Sequence, residues 1–454
     1  MRLLRWCGLS LSALFVLGVC ALATWHGLDR GPRAADAREI EARFDLQRLL
    51  VLTDADMAAT AYADGRLVPR GDLSDALVVL GDPVAGPGSR QAIPASNSVM
   101  GWPGAMTAAP DGRHAYVVET RGPIDRGVER LDNTFADMPE GEQLTTIDLD
   151  SGEVVDTRPV CRRPNAVDIA PSGDWLLVAC GVHEGELAVV TLDAGRPARV
   201  QRFDLHLPGI SARPGIDDGL SYARIHPDGE AAGIIQANLG VSLVRFRLDA
   251  DGIPEAASAE PPRLEGGWLT AGRWTRSGGH FLVADVRWGP SPAGALFVRD
   301  GAIHSFALSP SDDRRGIVSS ARVSKSPEGF ELNRTGDLLV AVNMERTYLP
   351  GGPFALAPRR SAASLSLVSI DAATGMLETL GEPVGFHGVL PEDAVFDRDG
   401  DRVAVAVFQD HDDPASDGWV EIFALDRSSG LPRLVPTGQR LPMPRGAHDL
   451  VAVD

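Results

Sequence analysis

A chain of 454 residues exceeds what one hydrophobic core supports, since single cores stop growing at roughly 250 to 300 residues, so it needs several domains or a repeat architecture. Its 62 acidic against 43 basic residues give a formal charge of −19, which argues against nucleic acid and anionic lipid as partners. Lys325 is the sole lysine, which leaves little scope for Schiff-base or lysine-nucleophile chemistry.

The chain opens with Met1-Arg2-Leu3-Leu4-Arg5-Trp6, an apolar run from Leu9 to Leu22, and the small-x-small site Ala21-Leu22-Ala23. That order of charge, apolar core and small residues predicts a signal peptide over 1–23, cleaved after Ala23, and a periplasmic or secreted protein. The alternative is an uncleaved anchor, because the run is near the minimum of about 17 residues for a span. Cys20, in Leu17-Gly18-Val19-Cys20, resembles a lipoprotein box, but Val19 is bulky where a small residue is wanted. Residues 24–43 read as a linker and 44–454 as the folded part. Export leaves Cys161 and Cys180 as the only cysteine pair, and an oxidising compartment favours a disulfide between them.

From residue 103 onward one unit recurs: an apolar strand, a Pro/Arg-x-Gly turn, then a more continuous apolar strand. The turns are Pro110-Asp111-Gly112, Pro171-Ser172-Gly173, Pro227-Asp228-Gly229, Arg276-Ser277-Gly278, Arg334-Thr335-Gly336 and Arg398-Asp399-Gly400. Each closes a hairpin, because Asp-Gly and Ser-Gly tolerate positive φ. A second hairpin follows each, as in Ile147-Asp148-Leu149-Asp150-Ser151-Gly152 and Leu425-Asp426-Arg427-Ser428-Ser429-Gly430. Two hairpins make four antiparallel strands, one propeller blade. Six complete units leave His448–Val453 without a successor, and Leu49–Leu52 and Ala76–Leu80 without a predecessor. Joined, they complete a seventh blade. The predicted fold is therefore all-β: a seven-bladed β-propeller of four-stranded antiparallel blades, its ring closed by N- and C-terminal strands in one blade, with no free sheet edge and no need of a second copy. The long second-to-third strand loops, 119–142, 343–362 and 409–418, all fall on one face.

The run Pro110-Asp111-Gly112-Arg113-His114-Ala115-Tyr116-Val117-Val118 resembles the repeat of the YVTN-type and lactonase-like bacterial propellers, and the likeness extends over most of residues 103–435. The resemblance implies a blade; it carries no catalytic motif onto this chain. In the wider group it implies sugar lactonases, amine-oxidising subunits and surface-layer proteins.

The crossovers entering the innermost strands place Trp102, Arg163, Asn165, Tyr222, Trp268 and Arg445 at the axial mouth as candidate ligand-binding residues, with Glu328, Glu392 and His448 as candidate catalytic residues. His387 is a further candidate base. Asp410, His411 and Asp412 are candidate ligands for a divalent cation, the one cofactor the sequence suggests. These residues predict a propeller that binds a small molecule or partner protein on its decorated face; the alternative is a lactonase-like hydrolase at the same mouth. A subunit of an oxidoreductase is a third reading.

Overall fold

The computed structural model describes residues 16–21, 24, 31–38, 40, 44–81, 90–125, 127–182, 185–205, 219–237, 240–259, 267–289, 292–308, 316–350 and 359–453. Seven four-stranded sheets surround one axis. Their innermost strands are Met106–Ala108, Pro164–Ile169, Leu220–Ile225, Leu269–Trp274, Pro327–Leu332, Ala394–Phe396 and Ala447–Val453, which define blades one to seven. Every neighbouring pair is antiparallel, as the sequence repeat requires.

Blade seven is assembled from both ends of the folded part. Leu49 pairs with Ala452 and Leu52 with Asp449 on one side, while Leu49 pairs with Leu80 on the other. The closing contact therefore consists of a full strand ladder. The six turn glycines Gly112, Gly173, Gly229, Gly278, Gly336 and Gly400 all sit at φ between 70° and 77°, where a side chain would be strained. In the outer hairpins the aspartate does the turning work. Asp148 accepts from the Asp150 and Ser151 N–H groups at 3.0 and 2.8 Å, and Asp371 does the same for Ala373 and Thr374. These donors hold both carboxylates below the usual range.

The second strand of each blade is buried on both faces, which explains its unbroken apolar run. Between blades the apolar side chains merge into continuous layers, for example Leu177, Tyr222, Ile234, Phe281 and Phe330. Cys161 and Cys180 are joined by a disulfide, with Cα atoms 6.2 Å apart, which ties the crossover into blade two to the end of that blade's second strand. Within the expected linker, Ala34 bridges to Gly385 and Arg38 N–H donates to the Pro436 carbonyl, so these residues lie along blades five and six. The predicted signal segment falls largely outside the described residues; of it, 16–21 are helical. Among the described residues no helix is long and apolar enough to cross a membrane.

Candidate active site under the loop cap

Loops connecting second to third strands fold over one axial mouth, their described residues being 54–75 of blade seven, 119–125 and 127–142 of blade one, 286–289 and 292–300 of blade four, 344–350 and 359–361 of blade five, and 408–417 of blade six. They bury an apolar cluster of their own that includes Met57, Leu67, Met138, Ala295, Leu349 and Phe408. The mouth is therefore roofed by a packed cap.

Beneath the cap lies a cavity of about 490 Å³. Its wall is aromatic: Trp102, Trp268, Trp288, Tyr62, Tyr348 and Phe135 all line it. Trp288 is the hub, with ring centroids 5.6 Å from Trp268 and 6.3 Å from both Trp102 and Tyr348. Its indole N–H donates to Ser326 Oγ at 3.0 Å, which fixes the ring plane. Three residues immediately before the crossover prolines, Arg163, Ser326 and Leu390, have φ of 49°, 56° and 50°. Non-glycine residues persist there only when their surroundings hold them, at a cost of roughly 1 to 3 kcal/mol each. Arg163 is held by its N–H on the Gly141 carbonyl and its carbonyl on the Gly181 N–H, both 2.8 Å.

Polar groups on the wall are few. Arg121 donates to the Phe135 carbonyl at 3.2 Å, Thr120 to the Pro164 carbonyl at 3.0 Å, and Asn165 to the Leu220 carbonyl at 2.7 Å. Two buried groups stand out. Glu328 is 5% exposed and its Oε2 has no hydrogen-bond partner; Trp268 is 4% exposed and its Nε1 has none either. Burial pushes the Glu328 carboxyl well above the ordinary glutamate range. An acceptor or acid and an N–H donor thus belong to the wall of one aromatic cavity, where a bound polar ligand would pair with them.

The floor is closed. Gly104, at φ 134°, lies so near Tyr222 that a Cβ would stand 2.7 Å from its ring, and a Cβ on Gly329 would stand 2.2 Å from the Glu392 carbonyl oxygen. Tyr222 Oη accepts from Arg224 at 2.9 Å and from Arg273. Asp449 accepts from the Gly104 and Met106 N–H groups at 3.1 and 3.0 Å. Under this floor Glu392 sits with His448, whose Nδ1 is 3.8 Å from Glu392 Oε2. Asn97 donates its amide to the Thr53 and Ala95 carbonyls, so its Oδ1 accepts from His448 Nε2 at 2.8 Å, which leaves Nδ1 unprotonated toward Glu392. Burial pulls the His448 pKa down to about 3 and raises Glu392, first by desolvation and then by the charge of Glu328. Both shifts disfavour the charged forms, the imidazolium of His448 and the carboxylate of Glu392.

Of the residues the sequence nominated, Trp102, Arg163, Asn165, Trp268 and Glu328 converge on the cavity wall. Tyr222, Glu392 and His448 form or underlie its floor. Arg445 is fully buried and bonds the Ala55 and Val68 carbonyls at 2.6 and 2.7 Å, which ties the cap loops to the inner strand of blade seven. His387 is exposed at the end of the outermost strand of blade five. Asp412 is on the surface and pairs with His411 at 2.7 Å, while Asp410 accepts from the Asp412 N–H. Among the described residues no three His, Cys, Asp or Glu side chains gather as metal ligands. Sequence reasoning missed Tyr62 and Phe135, on the four-residue helices Ala61–Asp64 and Thr134–Asp137, and Arg121 and Trp288, in segments too short or irregular to carry a periodic pattern. The one available signal was scarcity: three of the chain's eight tryptophans line this cavity.

No protein-family model and no curated protein matches the chain in sequence. Its fold is that of the lactonase-like seven-bladed propellers. The periplasmic gluconolactonase of Pseudomonas aeruginosa superposes with a TM-score of 0.56 at 18% identity, covering 89% of this chain and 99% of that one. A Bacteroides fragilis protein assigned as a 6-phosphogluconolactonase gives 0.54 at 14% identity, covering 90% and 98%. At these identities the likeness is one of fold.

Proposed function

We propose that the protein is a lactonase-type hydrolase that opens a neutral cyclic ester, a sugar lactone or an acyl lactone, in the capped cavity. The observation that carries this reading is the pairing of Glu328 and Trp268, two buried, unsatisfied groups in an aromatic box large enough for one sugar ring. Sugar rings present apolar faces that stack on tryptophan, and the Trp102, Trp268 and Trp288 rings offer such faces. The lactonases among the similar folds support the same class.

In this reading Glu328 takes a proton from water as the oxygen attacks the lactone carbonyl carbon. The carbonyl oxygen becomes an oxyanion held by the Trp268 N–H, and collapse breaks the ring C–O bond. Glu328 returns the proton to the departing alkoxide, and the product is the open hydroxy acid. A raised carboxyl pKa suits this double role, because a general base works best near the operating pH. Arg121 and Arg163 on the wall favour the carboxylate that forms. The disulfide and the periplasmic member of the similar folds support an exported location.

A lactone panel at neutral pH, with and without divalent metal, tests the reading. Glu328→Gln is expected to lower kcat by about 10² to 10⁴ while the fold persists. In the active protein kcat/KM falls as pH is lowered through a value above the ordinary glutamate range. Inertness of the wild-type protein across the panel leaves a binding propeller in its place.

A further inference from the structure

Two tryptophans of the cavity wall, Trp268 and Trp288, with ring centroids 5.6 Å apart, reach it from irregular backbone. One lies on the crossover into blade four, the other on the loop leaving that blade's second strand. A single carboxylate joins the two segments. Asp285, buried at the end of the strand Phe281–Asp285, accepts through Oδ1 from the Trp268 backbone N–H at 3.1 Å and from the Arg287 N–H at 2.8 Å. The Trp268 carbonyl in turn accepts from the Val286 N–H at 3.0 Å, and Arg287, next to Trp288, is held at φ 56°. Backbone in that region persists only where its neighbours fix it. The crossover also passes close, since a Cβ on Gly267 would stand 2.9 Å from Asp285 Oδ2.

The second carboxylate oxygen is oriented as well. Asp285 Oδ2 meets His304 Nε2 at 3.2 Å, and His304 Nδ1 meets Ser320 Oγ at 2.8 Å. A carboxylate only accepts, so Nε2 carries the imidazole proton and Nδ1 takes the serine hydroxyl. His304 is buried on the third strand of the blade, and Ser320 is exposed on the fourth. The propeller itself does not ask for this arrangement. At the position equivalent to Asp285, counted from the turn glycine, the other five repeats carry Glu119, Cys180, Gln236, Asn343 and Val407. The Val407 side chain can accept no N–H, and Gln236 is buried with its amide nitrogen and oxygen both unbonded. In blade two the same position is tied to its crossover covalently, through Cys161–Cys180. Blade four makes that tie with a carboxylate, which holds both tryptophan-bearing segments at once.

We propose that Asp285, oriented by His304, is a positioning residue of the capped cavity: it fixes the backbone from which the Trp268 indole and the Trp288 ring reach the ligand. The kinetic consequence rests on Trp268 acting as the oxyanion donor of the lactonase reading; the arrangement of the rings does not. Displacing a catalytic group by about 1 Å costs roughly 10² in rate.

Circular dichroism of the exciton couplet that closely packed indoles give, together with kcat and KM on the lactone panel, tests this in D285A, D285N and H304F. D285A is expected to lose most of the couplet and to fall about 10²-fold in kcat with a smaller change in KM. D285N, whose amide oxygen still accepts both N–H groups, should recover the couplet and most of kcat. Because Asp285 acts through Trp268, the kcat loss should shrink to a few-fold when D285A is made in Trp268→Phe. A cooperatively melting D285A that keeps the wild-type couplet overturns the assignment, as does an undiminished kcat loss in Trp268→Phe. Should D285A not fold, H304F decides, since it leaves both N–H groups their acceptor: a weakened couplet supports the assignment and an unchanged one refutes it. If the wild-type protein opens no lactone, the lactonase reading fails and the couplet alone decides the role of Asp285.

Discussion

At the scale of single residues, Trp268 has the most specific consequence. Its indole N–H is the unsatisfied donor in the cavity that Glu328 also lines, whereas its ring packs on Trp288. Trp268→Phe removes the donor and keeps most of the ring. If the N–H holds an oxyanion, kcat should drop by about 10² to 10³ with little change in KM. An equal rise in KM at constant kcat would assign it to ground-state binding. Glu392 and His448 differ from Glu328 in kind, because they lie under the floor and face each other.

Among the structural elements, the strand Ala447–Val453 has the widest reach. It closes the ring on Arg48–Thr53, supplies Asp449 to the floor, and places His448 against Glu392. Without it the Arg48–Thr53 edge, apolar from Leu49 to Leu52, would be an open template for aggregation. A chain ending at Gly446 is therefore expected to lose its cooperative thermal transition and to aggregate in size-exclusion chromatography. A monodisperse, cooperatively melting truncation would show that the seventh blade is dispensable. The cap is the contrasting element: its loops have little regular structure, and its stability comes from mutual burial of Met57, Leu349 and Phe408 and from the Arg445 clamp.

For the whole molecule, the axis is a column of buried carboxyls, and this sets the response to pH. Burial raises Asp54 to about 6 and pushes Asp75, Glu328, Glu392, Asp393 and Asp449 upward. Between about pH 4, where the unfolded chain sheds these protons, and the raised native values, the native state binds more protons. Stability from these groups is present below that window and declines as pH rises through it. His448 works the other way: its pKa of about 3 makes stability rise with pH from there to its ordinary value near 6.5. Six carboxyls outweigh one imidazole, so the melting temperature is expected to be higher near pH 5.5 than at pH 8. A melting temperature that climbs steadily to pH 8 would mean these carboxyls are ionised in the native state.

How much of this was legible beforehand follows from which forces act locally. Turn glycines at positive φ, the aspartates that cap outer hairpins and the apolar second strands are written in adjacent residues, so the blades, their number and the shared seventh blade could be read from sequence. So could the five wall residues next to the innermost strands, because a propeller brings every crossover to the axis. The cap could not, since Tyr62, Phe135 and Trp288 come from separate loops whose packing partners are distant in sequence. Nor could the closure of the cavity floor. That depends on the sub-van der Waals room that Gly104 and Gly329 leave for Tyr222 and Glu392, a matter of contact between blades that no local pattern encodes.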